Sequence, residues 1–390
     1  MHPLTGADAE TLLCHFGEED KPHGAVVPPI YQNSLFTFDT VEEFIAAGPK
    51  ANVGDAYVYS RIGNPTVAIA ERKIAKLEGT EACRVFSSGM AAISCCVMNC
   101  IESGAHVVAV DTCYGPLRSF LVDYLPRFGV TCTFVDGACV ADVADAIRPE
   151  TKLVYLESPG SLVFRLQDIE AITRLCREKG IYTAIDNTYS TPLYQSPAAM
   201  GVDFILHSAT KYLGGHSDIV AGVVAGPSDR LEKMTQDEVA TFGSLLPPFP
   251  AWLLTRGLRT LAVRVKRHEE SANEIAKWLE EHPSVELVNH VSLPSFKQRD
   301  LYLKQMRGST GLFSFQPKKQ DRKAIIRFVE ALKIFQLGVS WGGFESLCVP
   351  LEVSPIYIGE MRQIIRLFIG LESPRDLMAD LKQAFEVSGL

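Results

Sequence analysis

The sequence around Lys211 is His207-Ser208-Ala209-Thr210-Lys211-Tyr212-Leu213-Gly214-Gly215-His216, and an apolar run from Gly180 ends at Asp186, 25 residues before the lysine. The runs 180–186 and 203–207 have the apolar composition of buried strands. Asp186 ends the first predicted strand, and Lys211 follows the second. Because ligands of open α/β sheets bind at the carboxyl ends of the strands, the acid and the amine are predicted to meet at one binding edge.

The pair of groups at this edge suits pyridoxal 5'-phosphate (PLP). A lysine held in a polar, hydroxyl-rich turn can form a Schiff base with the cofactor aldehyde. An acid that reaches the same ligand can keep the pyridine nitrogen protonated. Lys211 and Asp186 are therefore the first candidates for a catalytic centre.

Two other turns contain candidate donors to a phosphate. Ser87-Ser88-Gly89-Met90 lies between a predicted strand at 82–86 and a predicted helix, where backbone amides and the helix dipole favour an anion. A simple serine N-cap explains that turn equally well. Tyr59 and Arg61 precede the turn at Gly63-Asn64-Pro65 and carry suitable donor groups, although an ordinary helix entry with exposed side chains accounts for them when they are taken alone.

Strand and helix patterns alternate from residue 82 to residue 226. Strands are predicted at 105–110, 130–135 and 152–156, with helical patterns between them, which indicates βαβ units and a parallel sheet. Tyr114 follows the first of these strands, where an aromatic ring can stack on a cofactor or simply close the strand end.

Three domains are predicted. Residues 1–60 lack clear periodicity and are expected to form an arm that contacts a neighbouring subunit, with a flexible tail as the alternative. Residues 61–248 form the cofactor-binding domain. The proline run at 247–250 marks its end, because proline disfavours regular structure. Residues 249–390 form a second α/β domain, whose last helix is predicted to begin with a capping box of Ser373 and Asp376 around Pro374.

Arg366 and Trp341 are the notable residues of this second domain. Arg366 lies in the apolar run 364–370, where an unpaired guanidinium is costly, so it needs an anionic partner. That partner is either a structural carboxylate or the carboxylate of a ligand. Trp341 stands beside Gly342 and Gly343 and is either a core anchor or a pocket wall.

Composition excludes several classes of protein. The net charge of −8 and the pI of about 5.7 argue against nucleic-acid or anionic-membrane partners. No apolar stretch reaches the ~20 residues of a spanning helix, and the acidic stretch Met1–Asp20 does not resemble a secretion signal, so a cytoplasmic location is expected. The ten cysteines are predicted to be buried free thiols, and no metal-site spacing occurs among the histidines.

The motifs together resemble the Cys/Met-metabolism (transsulfuration) family of fold-type I PLP-dependent enzymes. The resemblance covers almost the whole chain in the family's order, through Tyr59-Ser60-Arg61, Ser87-Ser88-Gly89-Met90, Tyr114-Gly115, Asp186-Asn187-Thr188, Ser208-Ala209-Thr210-Lys211-Tyr212, and Arg366 with Gly370-Leu371-Glu372. It implies a seven-stranded, mostly parallel sheet domain, a smaller C-terminal α/β domain, and a homotetramer whose active sites are shared between subunits.

The same resemblance implies a role for each candidate residue. Lys211 holds the cofactor and moves protons, Asp186 binds the pyridine nitrogen, and Tyr114 stacks on the ring and assists at the leaving group. Arg366 binds the substrate α-carboxylate with help from Ser340. The phosphate is held by a larger set, in which Tyr59 and Arg61 come from a neighbouring subunit: Tyr59, Arg61, Ser88, Gly89, Met90, Ser208 and Thr210.

Two motifs bear on which carbon–sulfur bond is cleaved. Ser340-Trp341-Gly342-Gly343 and Glu157-Ser158-Pro159-Gly160-Ser161 resemble bacterial cystathionine β-lyase, which implies α,β-elimination of L-cystathionine to homocysteine, pyruvate and ammonia. The segment Thr188–Pro192 resembles the γ-type relatives, so γ-elimination or γ-replacement is the alternative. A non-catalytic scaffold on this fold is a further alternative, which the joint presence of Lys211, Asp186 and Arg366 disfavours.

Overall fold

The computed structural model describes residue 4 and residues 6–51, 56–353 and 361–390. These residues form two β-sheets, one of seven strands and one of five, with helices packed against them.

The large sheet carries the binding edge predicted from the sequence. Its strands are β1 Ala82–Phe86, β2 His106–Val110, β3 Thr131–Val135, β4 Thr151–Glu157, β5 Tyr182–Asp186, β6 Phe204–Ser208 and β7 Gly222–Gly226. Their order across the sheet is β1-β7-β6-β5-β4-β2-β3, and β7 alone runs antiparallel to its neighbours. The predicted seven-stranded, mostly parallel sheet is confirmed. Because β5 and β6 are parallel neighbours, Asp186 and the turn after Ser208 lie at the same edge.

Helices precede, separate and follow these strands. They are α1 Ala9–His15, α2 Val41–Ala51, α3 Pro65–Glu78, α4 Gly89–Cys100, α5 Gly115–Ser119, α6 Val140–Ala146, α7 Ile169–Glu178, α8 Thr191–Tyr194, α9 Ser228–Met234, α10 Ala240–Phe242 and α11 Pro248–Arg259. Helix α4 begins shortly after β1, and its first residues line the cavity described below. The Ser88 hydroxyl accepts a hydrogen bond from the Ala91 amide at 3.0 Å and so caps this helix.

The small sheet belongs to the C-terminal part of the chain. Its strands are β8 Val285–Asn289, β9 Leu312–Pro317, β10 Gln336–Leu337, β11 Leu347–Val353 and β12 Arg362–Phe368, in the order β10-β11-β12-β9-β8. The helices here are α12 Leu261–Glu280, α13 Arg299–Gln305, α14 Arg322–Ala331 and α15 Pro374–Ser388. Helix α15 begins at Pro374 as predicted, but Ser373 makes no side-chain cap hydrogen bond, so the predicted capping box is wrong.

The N-terminal segment is partly anchored on its own chain. Leu13 of α1 is fully buried in the main core. The carboxylate of Glu18 accepts from Lys73 Nζ at 2.7 Å and from an Arg259 amino group at 2.6 Å, which ties the segment to α3 and α11 through buried ion pairs. This segment is therefore not an extended arm throughout. Its contact with a neighbouring subunit stays a prediction.

The proline run does not lie outside regular structure as expected. Helix α11 begins at Pro248, so the run occupies the start of a helix. Proline is tolerated in a first turn, because the amide that it lacks has no partner inside the helix there. Helix α11 packs on α3 of the cofactor-binding part of the chain.

Two predictions from composition can be compared with the structure. All ten cysteines are free thiols, as predicted, but Cys14 and Cys139 are exposed, so the predicted burial is wrong for these two. Among the described residues, no helix is both long and apolar enough to cross a membrane, and no group of His, Cys, Asp or Glu side chains is arranged to hold a metal ion.

Candidate active site

A cavity of about 450 Å³ opens where the large sheet ends and the loops of the small sheet approach it. Most of the residues predicted from the sequence line this cavity: Ser88, Gly89, Met90, Tyr114, Asp186, Ser208, Thr210, Lys211, Trp341 and Arg366. Ser340 lies beside it and contacts Lys211. Tyr59 and Arg61 do not line the cavity of their own chain.

Lys211 projects from the turn after β6 toward the loop that contains Trp341. Its Nζ donates to Ser340 Oγ at 2.7 Å and lies 4.7 Å from the centre of the Trp341 ring. Burial and the nearby Arg366 cation lower the pKa of the amine from its ordinary value to about 8, although Asp186 opposes this shift. Near neutral pH, an amine with this pKa can both give up and accept a proton.

Asp186 ends β5 at the floor of the cavity. Its Oδ1 accepts from the Thr188 amide at 2.9 Å. Burial raises the pKa of this carboxyl, while the Thr188 hydrogen bonds and the charges of His207 and Lys211 oppose the rise. A buried carboxylate of this kind favours a cationic partner.

Glu157 lies next to Asp186, because β4 and β5 pair these two residues directly. Its Oε2 accepts from the Tyr114 amide at 2.7 Å, and hydrogen bonds from Ser161 also reach it. Burial and the charge of Asp186 raise the pKa of Glu157 well above its usual range. Each of these two neighbouring carboxyls therefore makes the ionised form of the other less favourable.

The beginning of α4 lines one side of the cavity and is suited to bind an anion. The amides of Gly89 and Met90 start the helix and therefore have no partner inside it. Ser208 lines the same side, and its own amide is held by Thr188 Oγ1 at 2.8 Å. The Thr210 hydroxyl already donates to the Ala221 carbonyl at 3.2 Å. Because a hydroxyl has one proton, Thr210 can donate to an anion only by giving up that bond.

Tyr114 directly precedes α5, and 43% of its surface is exposed. The amide of this residue donates to Glu157, and the residue lines the cavity. A ring in this position is available to stack on a planar ligand.

Arg366 on β12 is 7% exposed. It donates to the Val339 carbonyl at 2.5 Å and to the Ser161 carbonyl at 3.5 Å. Among the described residues, no carboxylate forms an ion pair with its guanidinium, so the structural carboxylate that was one of the two possible partners is absent there. Burial lowers the pKa of Arg366 to about 10. A buried cation whose hydrogen bonds within the described residues go to carbonyl groups is well suited to bind the carboxylate of a ligand.

Trp341 is a wall of the cavity. Its ring centre lies 4.7 Å from Lys211 Nζ and 5.3 Å from the Arg366 Cζ atom, so the indole is close to both cations. Gly342 follows with φ of +83°, and a side chain there would overlap the backbone of Tyr212. This glycine therefore allows the indole loop to approach the turn that carries Lys211.

Tyr59 and Arg61 lie elsewhere in this chain. Tyr59 is 45% exposed, and Arg61 donates to the Ala240 carbonyl at 2.6 Å. Their predicted contribution from a neighbouring subunit stays a prediction.

Two residues of the site were not assigned a role from the sequence. Thr188 links Asp186 to Ser208, whereas Glu157 holds Tyr114 and Ser161 in place. The sequence signal for Thr188 was its position two residues after a strand-end acid, where side-chain to backbone bonds are common. Glu157 also ends a strand, but its partners are distant in sequence.

The cavity fits PLP by the chemistry of its donors. An amine of lowered pKa, a buried carboxylate, unpaired amides at a helix N-terminus and an arginine without a described carboxylate partner surround one volume. They match the aldehyde, the pyridine nitrogen, the phosphate and an amino-acid carboxylate, respectively.

Comparison with known proteins gives the same picture. The family described as Cys/Met metabolism PLP-dependent enzyme matches residues 10–386. The chain is 39% identical over 390 residues to the L-methionine γ-lyase of Porphyromonas gingivalis, covering 96% of each chain. It is 36% identical over 391 residues to a putative cystathionine β-lyase of Rhizobium johnstonii, covering 98% of this chain and 97% of the relative.

The backbone of the chain is also similar to that of a solved structure. The crystal structure of metB from Corynebacterium glutamicum superposes with a TM-score of 0.89 at 32% sequence identity, covering 98% of both chains. The relatives carry the names of both β- and γ-cleaving enzymes.

Proposed function

This chain belongs to the Cys/Met-metabolism family of PLP-dependent enzymes, and we propose that, within this family, it catalyses the α,β-elimination of L-cystathionine. With one water, this reaction gives homocysteine, pyruvate and ammonia. The family predicted from the sequence is confirmed, and so is PLP as its cofactor. The chain is thus a PLP-dependent lyase that acts on a small sulfur-containing amino acid, and the proposal concerns which bond it cleaves.

The cofactor would be held by the groups described above. Lys211 would bind the aldehyde, Asp186 the pyridine nitrogen and Tyr114 one face of the ring. The phosphate would be held by the α4 amides and neighbouring hydroxyls, from Ser88, Gly89, Met90, Ser208 and Thr210. When bound, PLP supplies an electron sink for the negative charge that develops at the substrate Cα.

Lys211 is the proposed base and acid of the reaction. With a pKa near 8, its amine can take the proton from the substrate Cα and return one to the departing sulfur. Ser340 accepts a hydrogen bond from the same amine and fixes its direction. Tyr114, which lines the cavity and is partly exposed, is the proposed residue that assists at the leaving group.

Arg366 is the proposed receptor for the substrate α-carboxylate. Its contacts with Val339 and Ser161 hold the guanidinium in one orientation. A bidentate pair with a carboxylate would then fix the Cα proton relative to Lys211.

The position of Trp341 is the observation that supports β-cleavage over γ-cleavage. The indole is close to both the proposed base and the proposed carboxylate receptor, at 4.7 and 5.3 Å. A rigid ring at this place narrows the space around the substrate Cα and Cβ, which favours expulsion of a thiol from Cβ.

γ-Elimination or γ-replacement is the second candidate. The L-methionine γ-lyase of P. gingivalis is 39% identical to this chain. The segment Thr188–Pro192, which resembles γ-type relatives, contacts the cofactor side through Thr188.

The experiment is incubation of the holoenzyme with L-cystathionine, with the keto acid identified by chromatography. β-Cleavage gives pyruvate and homocysteine, whereas γ-cleavage gives 2-oxobutyrate and cysteine. Trp341→Leu is the matched variant, and it is expected to raise the share of 2-oxobutyrate. Wild-type enzyme that makes mainly 2-oxobutyrate and cysteine would contradict the proposed reaction.

We also propose a homotetramer in which Tyr59 and Arg61 complete the site of a neighbouring subunit. The support is that both lie outside the cavity of their own chain. Arg61→Ala and Lys211→Ala subunits, each inactive alone, should then regain activity on co-expression, because some mixed sites contain both native residues. Absence of recovery in mixed oligomers would overturn the shared site. The cytoplasmic location stays a prediction.

A further inference from the structure

Residues 340–343, here called the crossing segment, lie across the turn that carries Lys211. Ser340 accepts from Lys211 Nζ, Trp341 packs over the same amine, and Gly342 packs against the Tyr212 backbone. The crossing segment lies between β10 and β11 of the small sheet, and the turn belongs to the large sheet. The proposed base and its wall therefore come from different parts of the fold, and their distance depends on what joins them.

Both ends of the crossing segment are held by the small-sheet part of the chain. On one side, the Val339 carbonyl accepts from Arg366. On the other, the Ser346 amide and hydroxyl donate to Glu372, each at 2.8 Å. These contacts attach the crossing segment to the small sheet. They do not attach it to the Lys211 turn, so other residues must hold it there.

Ser217 and Glu345 join the two parts directly. The Ser217 hydroxyl lies 2.6 Å and 2.9 Å from the two carboxylate oxygens of Glu345. Ser217 follows the Lys211 turn, and Glu345 follows the crossing segment. The pair is thus placed to hold the crossing segment against the turn.

Two features show that the local structure is built around this pair. Ser217 has a φ of +56°, in the left-handed region that non-glycine residues seldom adopt. Gly343 leaves the space for the pair, because a side chain there would overlap Ser217 Oγ and the Glu345 carboxylate.

We infer that Ser217 and Glu345 are positioning residues that fix Trp341 over the Lys211 amine and thereby set substrate affinity and the choice of cleaved bond. This inference deepens the proposed function and rests on it for its catalytic consequence. Neither residue lines the cavity, so each acts through the crossing segment. Loss of the pair frees Trp341 and Ser340 to move away from the turn, which loosens the substrate without removing the base.

The first test uses Glu345→Gln and Ser217→Ala in the holoenzyme. Each is expected to raise the KM for cystathionine about tenfold while kcat changes less than about threefold, because a hydrogen bond to a charged group is lost outside the reacting centre. Each should also increase the share of 2-oxobutyrate. The double variant should cost no more than the larger single change, since both remove one interaction.

The chain offers a matched control and a backbone control. Ser295 donates to Glu280 in another exposed serine–glutamate pair of the C-terminal part, so Ser295→Ala should leave KM and products unchanged. Ser217→Gly removes the hydroxyl but suits the positive φ, and it should match Ser217→Ala if the hydrogen bond is what matters.

The second readout does not depend on activity. With Trp252→Phe and Trp278→Phe as background, Trp341 is the remaining tryptophan, and acrylamide quenching of its fluorescence reports how tightly the crossing segment is seated. Glu345→Gln and Ser217→Ala should both increase quenching. Unchanged quenching and KM in both variants would overturn the inference, and so would an equal effect of Ser295→Ala. If wild-type enzyme cleaves no thioether, the proposed function fails, whereas the quenching comparison still decides the inference.

Discussion

The two halves of the cavity are built in different ways. The proposed cofactor half, formed by Asp186, Thr188, Ser208 and Lys211, lies at the ends of adjacent parallel strands. Backbone amides there donate to side chains, from Thr188 to Asp186 at 2.9 Å and from Ser208 to Thr188 at 2.8 Å. The substrate half, formed by Ser340, Trp341 and Arg366, depends on a loop and on β12 of the other sheet. The cofactor half is therefore positioned by one sheet, whereas the substrate half is positioned by a loop together with a strand of the other sheet. Chemistry common to a family can therefore be kept while the cleaved bond changes.

The largest effect is expected in the cofactor half. Lys211→Ala removes the proposed base and the covalent anchor of the cofactor, so turnover should fall at least about 10⁴-fold. The visible absorption band of bound cofactor should shift to that of the free aldehyde. Steady-state assays and absorption spectra of the purified variant check both statements, and residual activity within tenfold of wild type would remove Lys211 from its assigned role.

Asp186→Asn tests the proposed role of this carboxylate at the pyridine nitrogen. A neutral amide cannot keep a pyridine nitrogen protonated, so kcat should fall about 10²- to 10³-fold while cofactor still binds. Asp203→Asn is the control, because Asp203 precedes β6 and accepts hydrogen bonds from Thr183 at the opposite edge of the same strands. Similar losses in both variants would point to a general effect on the sheet.

Substitutions in the substrate half are expected to weaken substrate binding. Arg366→Ala removes a bidentate partner of the α-carboxylate, so kcat/KM should fall about 10²-fold or more while the spectrum of the bound cofactor is unchanged. Arg366→Lys, which keeps the charge but not the fork, should recover little of the loss. Arg327, which donates to the Ser388 carbonyl on the small-sheet side, supplies the control variant Arg327→Ala. Loss of bound cofactor in Arg366→Ala would place this residue in the other half.

The sequence predicts the cofactor half better than the substrate half. Strand ends follow from hydrophobic runs, so the sequence alone places Asp186 and Lys211 at one edge of the sheet. The Ser217–Glu345 pair joins residues far apart in the chain, and no local pattern indicates it. The same holds for Glu157, whose effect depends on the strand that pairs with its own. Long-range pairing is decided by the fold, and periodicity carries no information on it.

The smallest expected effect concerns the pH dependence of PLP uptake, through which the charge of Arg366 in the substrate half acts on Lys211 in the cofactor half. A lysine captures the cofactor aldehyde as the neutral amine, so the rate of PLP uptake by the apoenzyme should rise about tenfold per pH unit and level off near the Lys211 pKa of about 8. Burial is the larger cause of the lowered Lys211 pKa, and the nearby Arg366 cation lowers it further. Arg366→Ala should therefore move the plateau to higher pH, and Arg327→Ala should not. Stopped-flow absorbance across a pH series gives both midpoints. An unchanged plateau in Arg366→Ala would show that the substrate half does not tune the cofactor half.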